Sequence, residues 1–175
     1  MIEIKLTHGA VMPTRGSEYS SGWDLVARGF SVLNNGIIQK PKWFEDRTQQ
    51  HITINPGERI LIRTGLHIKL PAPHFDNDTE SEVYEIQIRS RSGLAAKHGI
   101  MVLNSPGTVD NDYRGDIGVI LYNTSLRAYK LHCGDKIAQA VICPVKIPKE
   151  PDVIIVDEFT EDTNRSEDGF GSTGK

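Results

Sequence analysis

Arg91-Ser92-Gly93 places a guanidinium, a hydroxyl and unobstructed backbone N–H groups in a row. Those are the parts of an anion site: donors converge, glycine permits close approach, and the start of a short helical turn favours negative charge. The same tripeptide also makes an ordinary solvated turn. Gly107-Thr-Val-Asp-Asn-Asp-Tyr-Arg-Gly115 follows, carrying two carboxylates, Asp110 and Asp112. In an extended segment they would point the same way; in a hairpin they would diverge. One of them is a candidate general base for water, because a carboxylate at hydrogen-bond distance accepts its proton. The alternative is an Asx-rich β-turn with no chemistry.

Such groups need a rigid frame, and here the frame reads as strands. Ile2, Ile4 and Leu6 alternate with Glu3 and Lys5, the period of a half-buried strand. The pattern recurs over Arg59–Arg63, Leu66–Leu70 and Val83–Ile88, with further apolar runs at Ile117–Tyr122 and Ile137–Val145. Turn signals separate them: Asn34-Asn-Gly36, Asn55-Pro-Gly57, Pro71-Ala-Pro73, Ser105-Pro-Gly107 and His132-Cys-Gly-Asp135. Short strands at this spacing predict an all-β sandwich or barrel. Helix is expected only for a turn or two around Ser92–Lys97. Residues 1–150 form the expected core, with additions at about 34–51 and 74–82. From 151 onward the spacing predicts one more strand, Asp152–Val156, and then a polar, glycine-rich arm that could not fold alone.

Composition narrows the function. Twenty basic and 23 acidic residues give a net charge of −3, which excludes general binding to a nucleic-acid backbone. A few placed arginines and a metal would still neutralise a small polyanion. No apolar run has the length of a membrane span, and the N-terminus lacks the apolar stretch of a signal peptide, so a soluble, cytoplasmic protein is expected. Cys133 and Cys143 lie outside any C-x-x-C arrangement and read as plain buried thiols in a reducing compartment.

Five segments, in order, resemble the five motifs of the trimeric dUTPase family. They are Gly22-Trp-Asp-Leu25, Arg91-Ser-Gly-Leu-Ala95, Gly107–Gly115, Gly134-Asp-Lys-Ile-Ala-Gln139 and Arg165–Gly174. The resemblance implies a jelly-roll-like β-barrel, a homotrimer with a C-terminal arm, and hydrolysis of dUTP to dUMP and pyrophosphate with Mg²⁺. Such an activity keeps uracil out of DNA and supplies dUMP for thymidylate synthesis. Carried over by position, Asp110 would orient and deprotonate the water that attacks the α-phosphorus. Tyr113 would pack on the deoxyribose and exclude a 2′-hydroxyl. Asn104, Gly107 and the backbone of that hairpin would read the uracil edge. Arg91, Ser92, Gly93 and Gln139 would hold phosphates, with Ser92 near the bond that breaks. Asp24 would meet the hydrated Mg²⁺ through water, since that ion keeps several waters. In the arm, Arg165 would contact the triphosphate and Phe170 would stack on uracil, with Gly171 and Ser172 also binding substrate. The resemblance places that arm over a site formed by other subunits.

The chain departs from the family pattern at Ser166 and Asp168, where glycines are usual, and at Trp23. A charge at Asp168 is unfavourable near phosphates unless it faces solvent. The additions at 34–51 and 74–82 offer room for a further protein partner. Gly169–Lys175 fits G-x-x-x-x-G-K, yet a phosphate-binding loop needs a following Ser or Thr and a helix. The six histidines show no zinc-ligand spacing. Two other readings compete. A dCTP deaminase on the same fold would need a glutamate where Ile120 stands, and isoleucine cannot shuttle protons. A regulatory binding protein on this scaffold would lack a competent Asp110 or arm.

Overall fold

A computed structural model of the chain describes residues 1–35, 37–45, 50–75, 81–147 and 154–157. Among these the strands are, in chain order, β1 (Glu3–Leu6), β2 (Thr14–Arg15), β3 (Trp23–Val26), β4 (Gly29–Ser31), β5 (Leu33–Asn34), β6 (Ile37–Ile38), β7 (Lys42–Trp43), β8 (His51–Ile54) and β9 (Arg59–Arg63). They continue with β10 (Leu66–Lys69), β11 (His74–Phe75), β12 (Ser81–Ser90), β13 (Ile100–Val102), β14 (Gly107–Val109), β15 (Gly118–Asn123), β16 (Tyr129–His132) and β17 (Lys136–Ile147). One helix, α1 (Ser92–His98), interrupts them. Gly99 ends it with φ 66°, its N–H returning to the Ala95 carbonyl, a left-handed cap that glycine adopts without strain. No helix among the described residues is long and apolar enough to cross a membrane.

Two antiparallel sheets enclose the core. One runs β11-β12-β17-β3-β2, with β14 also on β12; the other runs β13-β15-β9-β4-β7. Short ribbons, β1–β10, β16–β8 and β5–β6, complete the shell. The apolar run expected as a strand at Ile117–Tyr122 forms β15, where Val119, Leu121 and Asn123 are buried while Gly118, Ile120 and Tyr122 turn to the other face. In β9, by contrast, Ile60, Leu61 and Ile62 are all buried. It lies between β15 and β4; Ile60 and Ile62 join the core cluster, while Leu61, on the opposite face, lies in the wall of a cavity with Ile117 and Ile120. Each fully buried Leu or Ile, such as Leu25, Ile62, Ile86, Ile100, Leu121 and Ile137, contributes roughly 1.5–3 kcal/mol of transfer free energy.

Asn123 is the polar pin of this core. Its Nδ2 donates to the carbonyls of Ile54 (2.9 Å) and Arg127 (2.8 Å). Its Oδ1 accepts from the Ser125 amide (2.9 Å) and hydroxyl (2.8 Å). Every hydrogen-bonding group of the side chain is used, so its burial carries little penalty. Both cysteines are free, Cys133 buried and Cys143 half-buried.

The additions carry short strands. The stretch at 34–51 contributes β6 and β7, and β7 joins β4 as an edge of the five-stranded sheet. The stretch at 74–82 is held at both ends, because β11 pairs with the start of β12. Residues 154–156, the described part of the segment read as a strand at Asp152–Val156, carry no strand, and Ile154 and Ile155 are exposed. The predicted arm residues Arg165, Phe170, Gly171 and Ser172 lie outside the described residues.

Candidate active site

Two cavities collect the predicted residues. The first, of about 380 Å³, is lined by Gly22, Asp24, Arg91, Ser92, Gly93 and Gln139, drawn from β3, α1 and β17. A register shift between Lys136 and Ala138, where β17 pairs with β3, makes this possible. Residues 136 and 139 would face opposite sides of a regular strand. The extra residue turns both polar side chains away from the core while Ile137 and Ala138 are buried. Lys136 Nζ then lies 2.7 Å from Asp24 Oδ2, and Arg91 Nε lies 3.1 Å from Asp24 Oδ1. Arg91 also donates to the Lys136 carbonyl at 3.0 Å. The Asp24 side chain is 14% exposed, so two cations share a carboxylate largely removed from water.

Gln139 is fixed from two directions. Its Nε2 donates to the Ser90 carbonyl at 3.1 Å. Gly22 packs so closely that a Cβ there would lie 2.7 Å from Gln139 Oε1. At Gly93 a Cβ would meet no atom of the chain within 4 Å. The space over the Gly93 Cα is therefore open on the cavity side, so a ligand can approach the backbone closely there. Behind α1, His98 tilts against Tyr129 with ring centroids 5.2 Å apart. Burial pushes the Tyr129 phenol up, and the Asp135 charge acts in the same direction.

The second cavity, of about 320 Å³, holds Asn104, Asp110 and Tyr113 against an apolar wall that includes Leu61, Ile117 and Ile120. Asn104 precedes the cis Ser105–Pro106 bond that leads into β14. Gly107 opens β14, and a Cβ there would lie 2.9 Å from Asn104 Nδ2, so the glycine lets the Asn104 amide lie on the backbone. Tyr113 is 43% exposed, which rules out a simple core role, and its hydroxyl donates to the Asp116 carbonyl at 3.0 Å. Asp116 itself is buried, its Oδ2 2.7 Å from Arg63 Nε. Asp110 and Asp112 share one cavity but not the other. Asp110 borders both this cavity and a larger one of about 920 Å³ along β12 and the end of β17, whereas Asp112 borders the larger one alone.

No residue lines both the first and the second cavity. The structure thus gathers Asp24, Arg91, Ser92, Gly93 and Gln139 in one place and Asn104, Asp110 and Tyr113 in another. Arg89, read as structural, donates to Gln87 Oε1 at 2.7 Å and lines neither cavity. Sequence reasoning missed Lys136, although it lies within the Gly134–Gln139 segment, and it missed Arg63 and Asp116. No local signal marked Lys136, because its facing depends on the register shift against β3. The Arg63–Asp116 pair is non-local and left none.

The dUTPase family model matches residues 44–174. The chain belongs to the dUTPase family. It is 40% identical over 180 residues to a deoxyuridine 5'-triphosphate nucleotidohydrolase of Wolbachia pipientis, covering 99% of this chain and 95% of that protein. It is 44% identical to the Clostridium novyi protein of the same name, covering 97% and 95%. The fold is that of the Staphylococcus bacteriophage 80alpha dUTPase with dUPNHPP, with a TM-score of 0.74, 22% identity, and 100% and 99% of the two chains covered. A phage phi11 dUTPase mutant, with a TM-score of 0.65 and 20% identity over 92% of this chain and 99% of that one, coordinates a structural Mg(II) ion.

Proposed function

We propose that the protein hydrolyses dUTP to dUMP and pyrophosphate at sites shared between the copies of a homotrimer. The observation that carries this is Asp110 at the edge of the cavity that also presents Asn104 and Tyr113. That cavity, with its apolar wall, takes the deoxyuridine. Asn104 and the backbone around Gly107 hydrogen-bond the uracil edge, and a wrong base would strand a buried polar group. The Tyr113 ring packs on the deoxyribose where a 2′-hydroxyl would need room.

Asp110 accepts a proton from the attacking water. The water oxygen bonds to the α-phosphorus, and the bridging oxygen to the β-phosphorus leaves with pyrophosphate. Arg91, Ser92, Gly93 and Gln139 bind the phosphates. Because those residues line a different cavity of the same chain, the second half of each site comes from a neighbouring copy. Arg165, Phe170, Gly171 and Ser172 of the arm close it and exclude water.

Asp24 is the carboxylate of the phosphate cavity, and no cluster of three metal-ligating side chains exists among the described residues. That donor set fits a hydrated Mg²⁺ that reaches the protein with the triphosphate and touches Asp24 through water. When bound, the ion neutralises phosphate charge and stabilises departing pyrophosphate. Arg91 and Lys136 hold Asp24 in place meanwhile.

Deamination of dCTP is disfavoured by Ile120, whose outward position on β15 puts an aliphatic side chain on the wall where a proton shuttle would have to stand. The test follows pyrophosphate release from dUTP, dCTP, dTTP and UTP with Mg²⁺. Release from dUTP alone, lost in Asp110→Asn, is expected. Ammonia from dCTP, or no turnover of any nucleotide, refutes the assignment.

A further inference from the structure

Ile38 belongs to the addition at 34–51, for which the sequence offered no role, yet it lines the same cavity as Asn104, Asp110, Tyr113 and Ile120. The β5–β6 ribbon turns through Asn35 at φ 48°, a left-handed conformation that asparagine tolerates, and pairs Leu33 with Ile38 and Asn34 with Ile37. The ribbon is tied back by the Gln39 amide, which donates to the Val32 carbonyl at 3.0 Å. Ile37 is 63% exposed and Ile38 is 60% exposed. Successive strand residues face opposite ways, and of the two only Ile38 lines the cavity. A half-open isoleucine at the mouth of a cleft gains little from folding. It has much to gain from a flat ligand laid against it.

We infer that Ile38 is a specificity-determining residue: it forms an outer apolar wall of the nucleoside pocket and covers part of the base or sugar, so the added hairpin is part of substrate binding. The inference rests on the proposed placement of the nucleoside in this cavity. The cavity supplies Leu61, Ile117 and Ile120 on the inner side, carried by the main sheet and the approach to β15. Ile38 adds an apolar wall from the added ribbon, outside both main sheets. Its contact is made with substrate and transition state alike, so its loss shows in KM far more than in kcat. It touches no phosphate group, so ligands without a nucleoside do not sense it.

The experiment compares wild type, Ile38→Ser, Ile38→Val and Ile37→Ser. It reads kcat and KM for dUTP, and the binding constants of dUMP and of inorganic tripolyphosphate. For Ile38→Ser a rise of about tenfold in KM and in the dUMP dissociation constant is expected, with kcat within about twofold and tripolyphosphate unchanged. Ile38→Val retains most of the contact and stays near wild type. Ile37→Ser, equally exposed on the opposite face, controls for loosening of the ribbon. Unchanged dUMP binding in Ile38→Ser overturns the inference, as does an equal effect from Ile37→Ser. A wild type that binds dUMP in an Ile38-dependent manner without turning over dUTP refutes the proposed reaction but supports the wall. A wild type that does neither refutes both.

Discussion

Gly115→Ala tests the sugar-side geometry without touching a residue that meets the substrate. Gly115 is half-buried and lies outside the left-handed region, so alanine fits its backbone. A Cβ there, however, would overlap the Tyr113 hydroxyl and Cζ and come within 3.0 Å of Cε2. The ring has to leave. With 43% of its surface already open, Tyr113 can swing outward, breaking its 3.0 Å hydrogen bond to the Asp116 carbonyl. The lost hydrogen bond costs about 1 kcal/mol, and the further ring exposure about as much again. For a chain of this length that lowers Tm by roughly 4–8 °C, which leaves a folded protein. The larger effect falls on selectivity. Without the ring, the site has nothing to reject a 2′-hydroxyl, and a pocket's preference against one added hydroxyl is worth about 10²-fold at most. The kcat/KM ratio of dUTP to UTP is therefore expected to fall by about ten- to a hundredfold, read by pyrophosphate release from each substrate in parallel. Tyr113→Phe, which keeps the ring and loses the hydroxyl, should retain most of the ratio. A folded Gly115→Ala protein with wild-type preference would refute the placement of the deoxyribose against Tyr113.

Asp110→Asn removes the proposed base from an exposed position; kcat should fall by about 10²–10⁴-fold with Tm unchanged. Gly22→Ala drives a methyl to 2.7 Å from Gln139 Oε1 and should raise KM for dUTP about tenfold. If it acts through Gln139, the double variant with Gln139→Ala will be little worse than Gln139→Ala alone, and simple additivity would sink the explanation. Asn123→Leu strands the Ile54 and Arg127 carbonyls and the Ser125 amide; urea unfolding should show a loss of about 3 kcal/mol or more, and a loss below about 1 kcal/mol would contradict the pin.

What could be read from the sequence was what depends on near neighbours. The strand-like runs at Leu66–Leu70 and Ile117–Tyr122 and the short helix near Ser92–Lys97 were visible because period and composition are local. The five motif segments pointed to the candidate site residues because their types and order are preserved in the chain. Three features needed the folded neighbour. The run Ile60–Ile62 is buried on both faces because Ile60 and Ile62 join the core cluster and residues distant in sequence cover Leu61 on the other side, which no alternation rule shows. The shift at Lys136–Ala138 exists only against β3, so the joint facing of Lys136 and Gln139 was invisible. Ile38 reaches the cavity of Asn104, Asp110 and Tyr113 through a hairpin in the addition at 34–51. The strand expected at Asp152–Val156 erred in the other direction: an apolar run supplies side chains for a strand, but residues 154–157 pair with no strand edge among the described residues that could take their backbone groups.

The two cavities with no residue in common have a genetic consequence on the arrangement proposed here. A chain broken at Asp110 still carries an intact phosphate cavity, and a chain broken at Arg91 still carries an intact nucleoside cavity. Co-expressed, two such inactive alleles would assemble mixed oligomers, and some junctions would pair a sound half from each. Activity would reappear from two dead genes. An allele carrying both lesions would contribute to no working junction and would silence every junction it entered, so the same two substitutions are complementing when on separate chains and dominant-negative when on one.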